Sequence, residues 1–222
     1  MLFSRISLIV IPLFAIALVS SCNNKENNET NYEYLAVQMA KGDSWSIIDK
    51  DGKEVVKDEY PSDASISSIN EKTYWVKTDG KYQLYNLSDP KKPVIEEEFT
   101  RATRFMSGVA VVSNPNQQIR IINTKGKTIA TLGKDIKKCY EFTVNGYAII
   151  ENADDLRGII DNKGNIVIRP AYVLLNISND NIVWAQKNKD DKVLLTMDIK
   201  GKKLGEISTD KYELLTYAYH EE

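Results

Sequence analysis

Short apolar runs broken by polar turns recur at a fixed interval along most of the chain. Five segments stack on one another: WSIIDKDGKEVV from Trp45, YQLYNLSDPKKPVI from Tyr82, IRIINTKGKTIA from Ile119, RGIIDNKGNIVI from Arg157 and LLTMDIKGKKLG from Leu194. Each holds an anchor residue, namely Asp49, Asn86, Asn123, Asp161 or Asp198, and successive anchors are 37, 37, 38 and 37 positions apart. That self-similarity is the mark of a repeat architecture. Thirteen residues before four of the anchors stands an alanine in an apolar run, Ala36, Ala110, Ala148 and Ala185, with Thr73 at the same place in the second unit. A small side chain at one fixed point predicts a close approach between neighbouring elements.

Alternating patterning and turn residues predict a three-stranded meander in each unit. The strand with the alanine leads into a polar turn: Lys41-Gly42-Asp43, Thr78-Asp79-Gly80, Asn114-Pro115-Asn116, Ala153-Asp154-Asp155 or Lys189-Asp190-Asp191. A second strand ends at the anchor, whose side chain can bond to the backbone of the turn that follows. Four of those second turns read Asp/Asn-x-x-Gly, with Gly52, Gly126, Gly164 and Gly201 where a positive φ is wanted. A third strand comes next, as in Glu54 to Val56, Val94 to Ile95 or Ile166 to Ile168. A link of some 12 residues then carries an aromatic (Tyr60, Phe99, Tyr172, Tyr212), expected to pack one unit on another. The predicted fold class is all-β: five tandem three-stranded meander repeats of about 37 residues. A lone small sheet leaves its edges and faces uncovered, so the units should form a propeller-like ring or, alternatively, an open curved array.

The N-terminus follows a different pattern. Met1 to Arg5 give a short positive end, and Ile6 to Val19 form an apolar run of the length of a secretory signal, too short for an ordinary membrane span. The run ends in Val19-Ser20-Ser21-Cys22, which resembles the lipobox of bacterial lipoproteins. The resemblance implies that the Cys22 thiol takes a diacylglycerol, that cleavage falls before it, and that the new amino group is acylated. Two or three acyl chains make attachment effectively permanent. The expected organisation is a signal peptide over 1–21, a lipidated cysteine and linker over 22–32, and a β-repeat domain over 33–222. Asn23 is not the aspartate that favours inner-membrane retention in enterobacterial lipoproteins, so an outer-membrane anchor in the cell envelope is expected. The polar stretch Asn23 to Asn31 reads as a solvated linker, and its acidic and lysine content resembles the surface-export signals of some Bacteroidetes lipoproteins.

Charge and cysteine content narrow the partners. Charged residues are 27% of the chain and sum to a formal −2, so no basic face for a phosphate backbone is expected, and nucleic acid is not an expected partner. Besides Cys22 the only cysteine is Cys139; with no disulfide available, packing must hold the domain. Cys139, beside Tyr140 and Phe142, reads as a buried inert thiol.

Catalytic candidates are few. The single histidine, His220, is two residues from the end, which excludes histidine-based triads and multi-histidine metal sites. Asp154-Asp155 and Asp190-Asp191 fall in hairpin turns. Asp49-Lys50-Asp51-Gly52 matches a calcium loop only at its start and lacks the distal glutamate. No phosphate-cradling glycine loop occurs and the serines lack a base. No catalytic, cofactor or metal residue is therefore assigned. Trp45, Trp75, Trp184 and the 12 tyrosines can be read as a sugar-binding platform or as core.

Several stretches resemble the WG-repeat (KWG-repeat) proteins: Trp45 to Lys53, Phe105 to Val112, and Gly158 to Gly164. The Trp-Gly pair itself is never intact, since Ser46 follows Trp45 and Arg157 precedes Gly158, and the second unit has Pro90 and Pro93 where others have glycine. The resemblance covers about residues 34 to 216 and implies β-rich tandem repeats with no established catalytic residues. Taken together, these features predict a membrane-tethered, non-enzymatic binding or scaffolding module of the bacterial cell envelope that contacts protein or glycan. The alternative is an envelope hydrolase using a carboxylate pair, which requires a deep cleft and acidic groups of raised pKa.

Overall fold

The computed structural model describes residues 33–209 except 39 and 41, so Cys22, Tyr212 and His220 lie outside the described residues. Eighteen strands form five open antiparallel sheets, and no α-helix occurs among the described residues. The chain divides into two compact units, residues up to Asp63 and residues from Ala64 onward.

Unit 1 contains one sheet, β1 (Tyr34–Val37), β2 (Trp45–Asp49) and β3 (Glu54–Tyr60), paired in that order. Unit 2 contains four. Sheet 2 is β4 (Ser65–Ile66), β5 (Thr73–Thr78) and β6 (Lys81–Asn86). Sheet 3 is β7 (Arg101–Ala102), β8 (Val109–Ser113), β9 (Arg120–Asn123) and β10 (Thr128–Thr131). Sheet 4 is β11 (Ile136–Cys139), β12 (Tyr147–Asn152), β13 (Arg157–Asp161) and β14 (Ile166–Tyr172). Sheet 5 is β15 (Leu174–Ile177), β16 (Ile182–Gln186), β17 (Val193–Asp198) and β18 (Lys203–Ser208). The tandem all-β meander is therefore as expected and in phase with the anchors. No sheet closes on itself among the described residues.

Strand number differs from expectation in two ways. Sheets 3 to 5 have four strands, because the link folds a leading strand (β7, β11, β15) against the alanine strand. Sheet 2 gains its leading strand β4 but loses the expected third strand at Val94 to Ile95. Pro90 and Pro93 offer no backbone donors there, and a proline cannot join a ladder through its nitrogen. Only scattered bonds remain along β6: the Val94 amide donates to the Leu84 carbonyl at 2.7 Å, and Tyr82 and Phe99 exchange a pair at 2.7 and 2.9 Å.

Packing in unit 2 follows from strand period. Along β8, Ala110 and Val112 face a core shared with Trp75 and Leu84 of sheet 2, while Val109 and Val111 face one shared with Ala148 and Ile150 of sheet 4. Sheet 4 likewise turns Ile160 towards sheet 3, and Ile159 towards Val183 and Ala185 of sheet 5. Sheets 3 and 4 are buried on both faces, which is why β8 and the first four residues of β12 read as unbroken apolar runs. Ala110, Ala148 and Ala185 are fully buried, as a point of close approach requires. Phe99 lies in the sheet 2–3 core and Tyr172 against the sheet 4–5 core, so these two link aromatics do join successive repeats.

The broken Trp-Gly signature also has a structural reason. Gly158 sits where the outer strand bulges inward, and a Cβ there would stand 2.5 Å from the Ile168 carbonyl and 2.7 Å from the Pro170 nitrogen. The equivalent of Pro170 in unit 1 is Asp58, which carries an amide proton. Ser46, in the place of Gly158, accepts that proton on Oγ at 2.9 Å.

Candidate functional site

The five anchors build one local device. Asp49 Oδ1 accepts the amides of Asp51 and Lys53, Asn123 those of Lys125 and Lys127, Asp161 those of Lys163 and Asn165, and Asp198 those of Lys200 and Lys202, all between 2.8 and 3.0 Å. The anchor carbonyl takes the glycine amide that closes each turn. Asn86 holds the Ser88 amide and hydroxyl in the same way. The turn skeleton is thus satisfied by its own anchor, and the lysines just before the glycine, Lys125, Lys163 and Lys200, are exposed, while Asn162 and Ile199 pack inward.

In unit 2 these anchor turns lie side by side. A Cβ on Gly126 would collide with Ile95 of the second repeat, one on Gly164 would lie 2.5 Å from the Cβ of Ala130, and one on Gly201 would touch Ile168 at 3.6 Å. Each turn therefore rests on the outer segment of the preceding repeat. The tight turns at the same end of the sheets are linked as well: the Gly108 amide donates to Glu71 Oε1 at 2.8 Å, Ser107 Oγ to the Val144 carbonyl at 2.7 Å, and Asn145 Nδ2 to the Asn179 carbonyl at 2.6 Å.

Where sheet 2 lacks its outer strand, an open recess of about 380 Å³ is lined by Asn86, Ser88, Asp89, Lys92, Pro93, Val94, Thr124 and Lys125. It is shallow, and it sits at the departure from the repeat pattern. Lys92 and Lys125 line it, and Lys127, Lys163, Lys200 and Lys202 are exposed at the anchor turns of this and the following repeats. Formal net charge hid this gathering, because acidic groups elsewhere cancel it in the sum. The signal was nonetheless in the sequence, in lysines two residues after the anchors (125, 163, 200) and four after them (127, 202).

The other candidates fall as follows. Trp75 is core: 1% exposed, stacked on Phe105, with Nε1 donating to the Thr103 carbonyl at 2.8 Å. Trp45 and Trp184 are half-buried in different units, and no shared aromatic platform is described. Asp154, Asp155, Asp190 and Asp191 lie in hairpin turns, where Asn152 Oδ1 accepts the Asp154 amide and Asp191 Oδ2 the Asn188 amide. Cys139 is buried, and desolvation pushes its thiol up to about 12, against a smaller opposing pull from Arg101.

The carboxyl groups that are shifted all move downward. Burial would raise Glu151, but bonds from Lys137 and Tyr140 and the charges of Lys137 and Arg157 outweigh it. Asp161 is held low against its burial by Asn165 and Lys163, and Asp191 by the Asn188 amide and side chain. A general acid needs the opposite shift.

Residues 45–82 and 158–189 match a family model described as a WG containing repeat, and both segments begin in the strand that leads to an anchor. No curated protein matches the sequence. Among solved structures, the chain is similar to Kluyveromyces lactis Hsv2 at 14% identity and a TM-score of 0.51, over 75% of this chain and 59% of that one. A second structure of Kluyveromyces lactis Hsv2, with loop 6CD complete, matches at 16% identity and 0.50, over 75% and 58%. The WD40 beta propeller domain of Doa1 matches at 13% and 0.37, over 78% and 64%. The chain spans about three-fifths of the length of the Hsv2 chains. At such identity the likeness is one of fold: small antiparallel sheets in tandem, of a propeller-like kind.

Proposed function

We propose that this WG-repeat-like chain is a non-enzymatic binding or scaffolding module of the bacterial cell envelope, held to a membrane, outer rather than inner, through lipid on Cys22 and contacting protein or glycan through its β-repeat surface. The observation that carries the reading is the row of anchor turns in unit 2. Their backbone groups are satisfied internally, so they present a broad, shallow surface whose side chains are free to make contacts. A repeat scaffold of this kind suits recognition over an area better than chemistry at a point. The lowered carboxyl groups and the open recess lend nothing to a carboxylate-pair hydrolase.

Two measurements test it. Growth with an alkyne-bearing fatty acid should label the protein and place it in the membrane fraction, and Cys22→Ser should abolish both. Crosslinking in intact cells should then yield one protein or glycan in stoichiometric amount. An unlabelled, soluble protein would refute the tether, and capture of no protein or glycan would refute the binding role.

A further inference from the structure

We infer that the anchor-turn end of unit 2 is a docking face for the phosphate-bearing surface of an anionic bilayer, an inference that rests on the tether proposed at Cys22. Lys92, Lys125, Lys127, Lys163, Lys200 and Lys202 are all exposed and none is in an ion pair with another described residue, whereas Lys81, Lys137 and Lys203 are paired with Glu98, Glu151 and Glu206. Of the carboxylates at this end, Asp161 and Asp198 turn an oxygen inward onto two backbone amides each and Glu71 takes the Gly108 amide, while Asp89 and Asp180 are exposed. The six lysines outnumber these exposed carboxylates, so the net charge this end offers outward is positive.

The type of cation also bears on the partner. These turns contain lysine and no arginine. An ammonium is a compact, hydrated point charge without the fork that grips one phosphate bidentately. Spread over four turns and beside a recess too open to enclose a small anion, the lysines suit a diffuse sheet of phosphates.

Apolar residues accompany them. Just beyond the turns, Ile129, Ile166 and Leu204 are 42%, 54% and 55% exposed, one on the outer strand of each of sheets 3, 4 and 5. Lysines bordering exposed aliphatics fit a headgroup region, where charge meets acyl chain. A soluble polyanion would use the charges and leave the aliphatic row in water.

Residues 23–32 can span at most about 35 Å however they are arranged, so the tether keeps the domain within reach of headgroups.

The test uses the full lipidated protein reconstituted into vesicles of phosphatidylcholine alone or with phosphatidylglycerol. Surface amines are acetylated and read by mass spectrometry. The six lysines should be modified severalfold more slowly on the anionic vesicles, Lys134 and Lys189 should be unchanged, and molar salt should erase the difference, since the screening length then falls to about 3 Å. Replacing Lys125, Lys127, Lys163, Lys200 and Lys202 by glutamine should remove the residual protection at Lys92. Equal modification on both vesicle types, with the protein still vesicle-bound, overturns the docking face and leaves the tether standing. Protein that floats with neither vesicle overturns the tether itself. Protection by soluble polyphosphate or DNA as strong as that by vesicles overturns the bilayer as partner.

Discussion

Replacing Gly164 by alanine tests whether the anchor turns serve as contacts between repeats as well as reversals of the chain. Gly164 has φ +85°, and an added Cβ would stand 2.5 Å from the Cβ of Ala130 and 3.7 Å from Ile121 Cδ1. The left-handed backbone alone costs an alanine about 1–2 kcal/mol. Ala130 has no flexible end to swing aside, so its strand must move, and overpacking of that kind costs about 1–3 kcal/mol. The sum is about 2–5 kcal/mol. Gly80 supplies the control in the same unit: its φ is +78°, and a Cβ there would meet nothing within 4 Å. Gly80→Ala should therefore lose only the backbone share, about 1–2 kcal/mol. For a chain of this size the two changes correspond to drops in melting temperature of roughly 4–20 °C and 2–8 °C, read by calorimetry. The decisive measurement is the double change Gly164→Ala with Ala130→Gly, which makes room for the new methyl. It should be more stable than the sum of the single effects predicts, with a coupling above about 0.5 kcal/mol. Equal losses at Gly80 and Gly164, or strict additivity in the pair, would refute the proposed contact.

Cys139 should resist thiol reagents in the folded protein and react only at the rate of opening, because its thiolate is disfavoured by burial; rapid stoichiometric labelling without denaturant would contradict that placement. Glu151 predicts a pH dependence with a definite sign. Its folded pKa lies below its unfolded one, so its stabilisation is complete above the unfolded value and is lost as pH falls through the folded value. Glu151→Gln should thus be less stable than the parent at neutral pH and approach it in acid, as followed by urea denaturation at several pH values; a constant gap across that range would show that Lys137 and Arg157 contribute nothing through charge.

The repeat was legible because both its signals are local. The apolar run and the Asp/Asn-x-x-Gly turn need only neighbouring residues to declare themselves, and the anchors at Asp49, Asn123, Asp161 and Asp198 make the predicted bonds. The leading strands were not legible. β4 and β7 are two residues long, below the length at which alternation can be seen, and each pairs with the edge of the longer strand that follows it, β5 or β8. Val94 and Ile95 misled for the opposite reason: they look like a strand, but flanking prolines deny them a ladder. Trp75 could not be assigned from sequence, since an indole in a strand suits platform and core alike until Thr103 is seen accepting its proton. The lysine rim was missed because charge was summed over the chain and not placed along the repeat.

Because each anchor closes its own turn through main-chain bonds, the exposed lysine just before the glycine owes little to the architecture, whereas Asn162 and Ile199, one place earlier, pack against their neighbours. Lys125, Lys163 and Lys200 could each be exchanged for almost any polar residue without altering how the sheets stack. Frame and display are therefore separable in this molecule. A lineage could rewrite what the rim recognises one position at a time while the scaffold beneath it stayed the same.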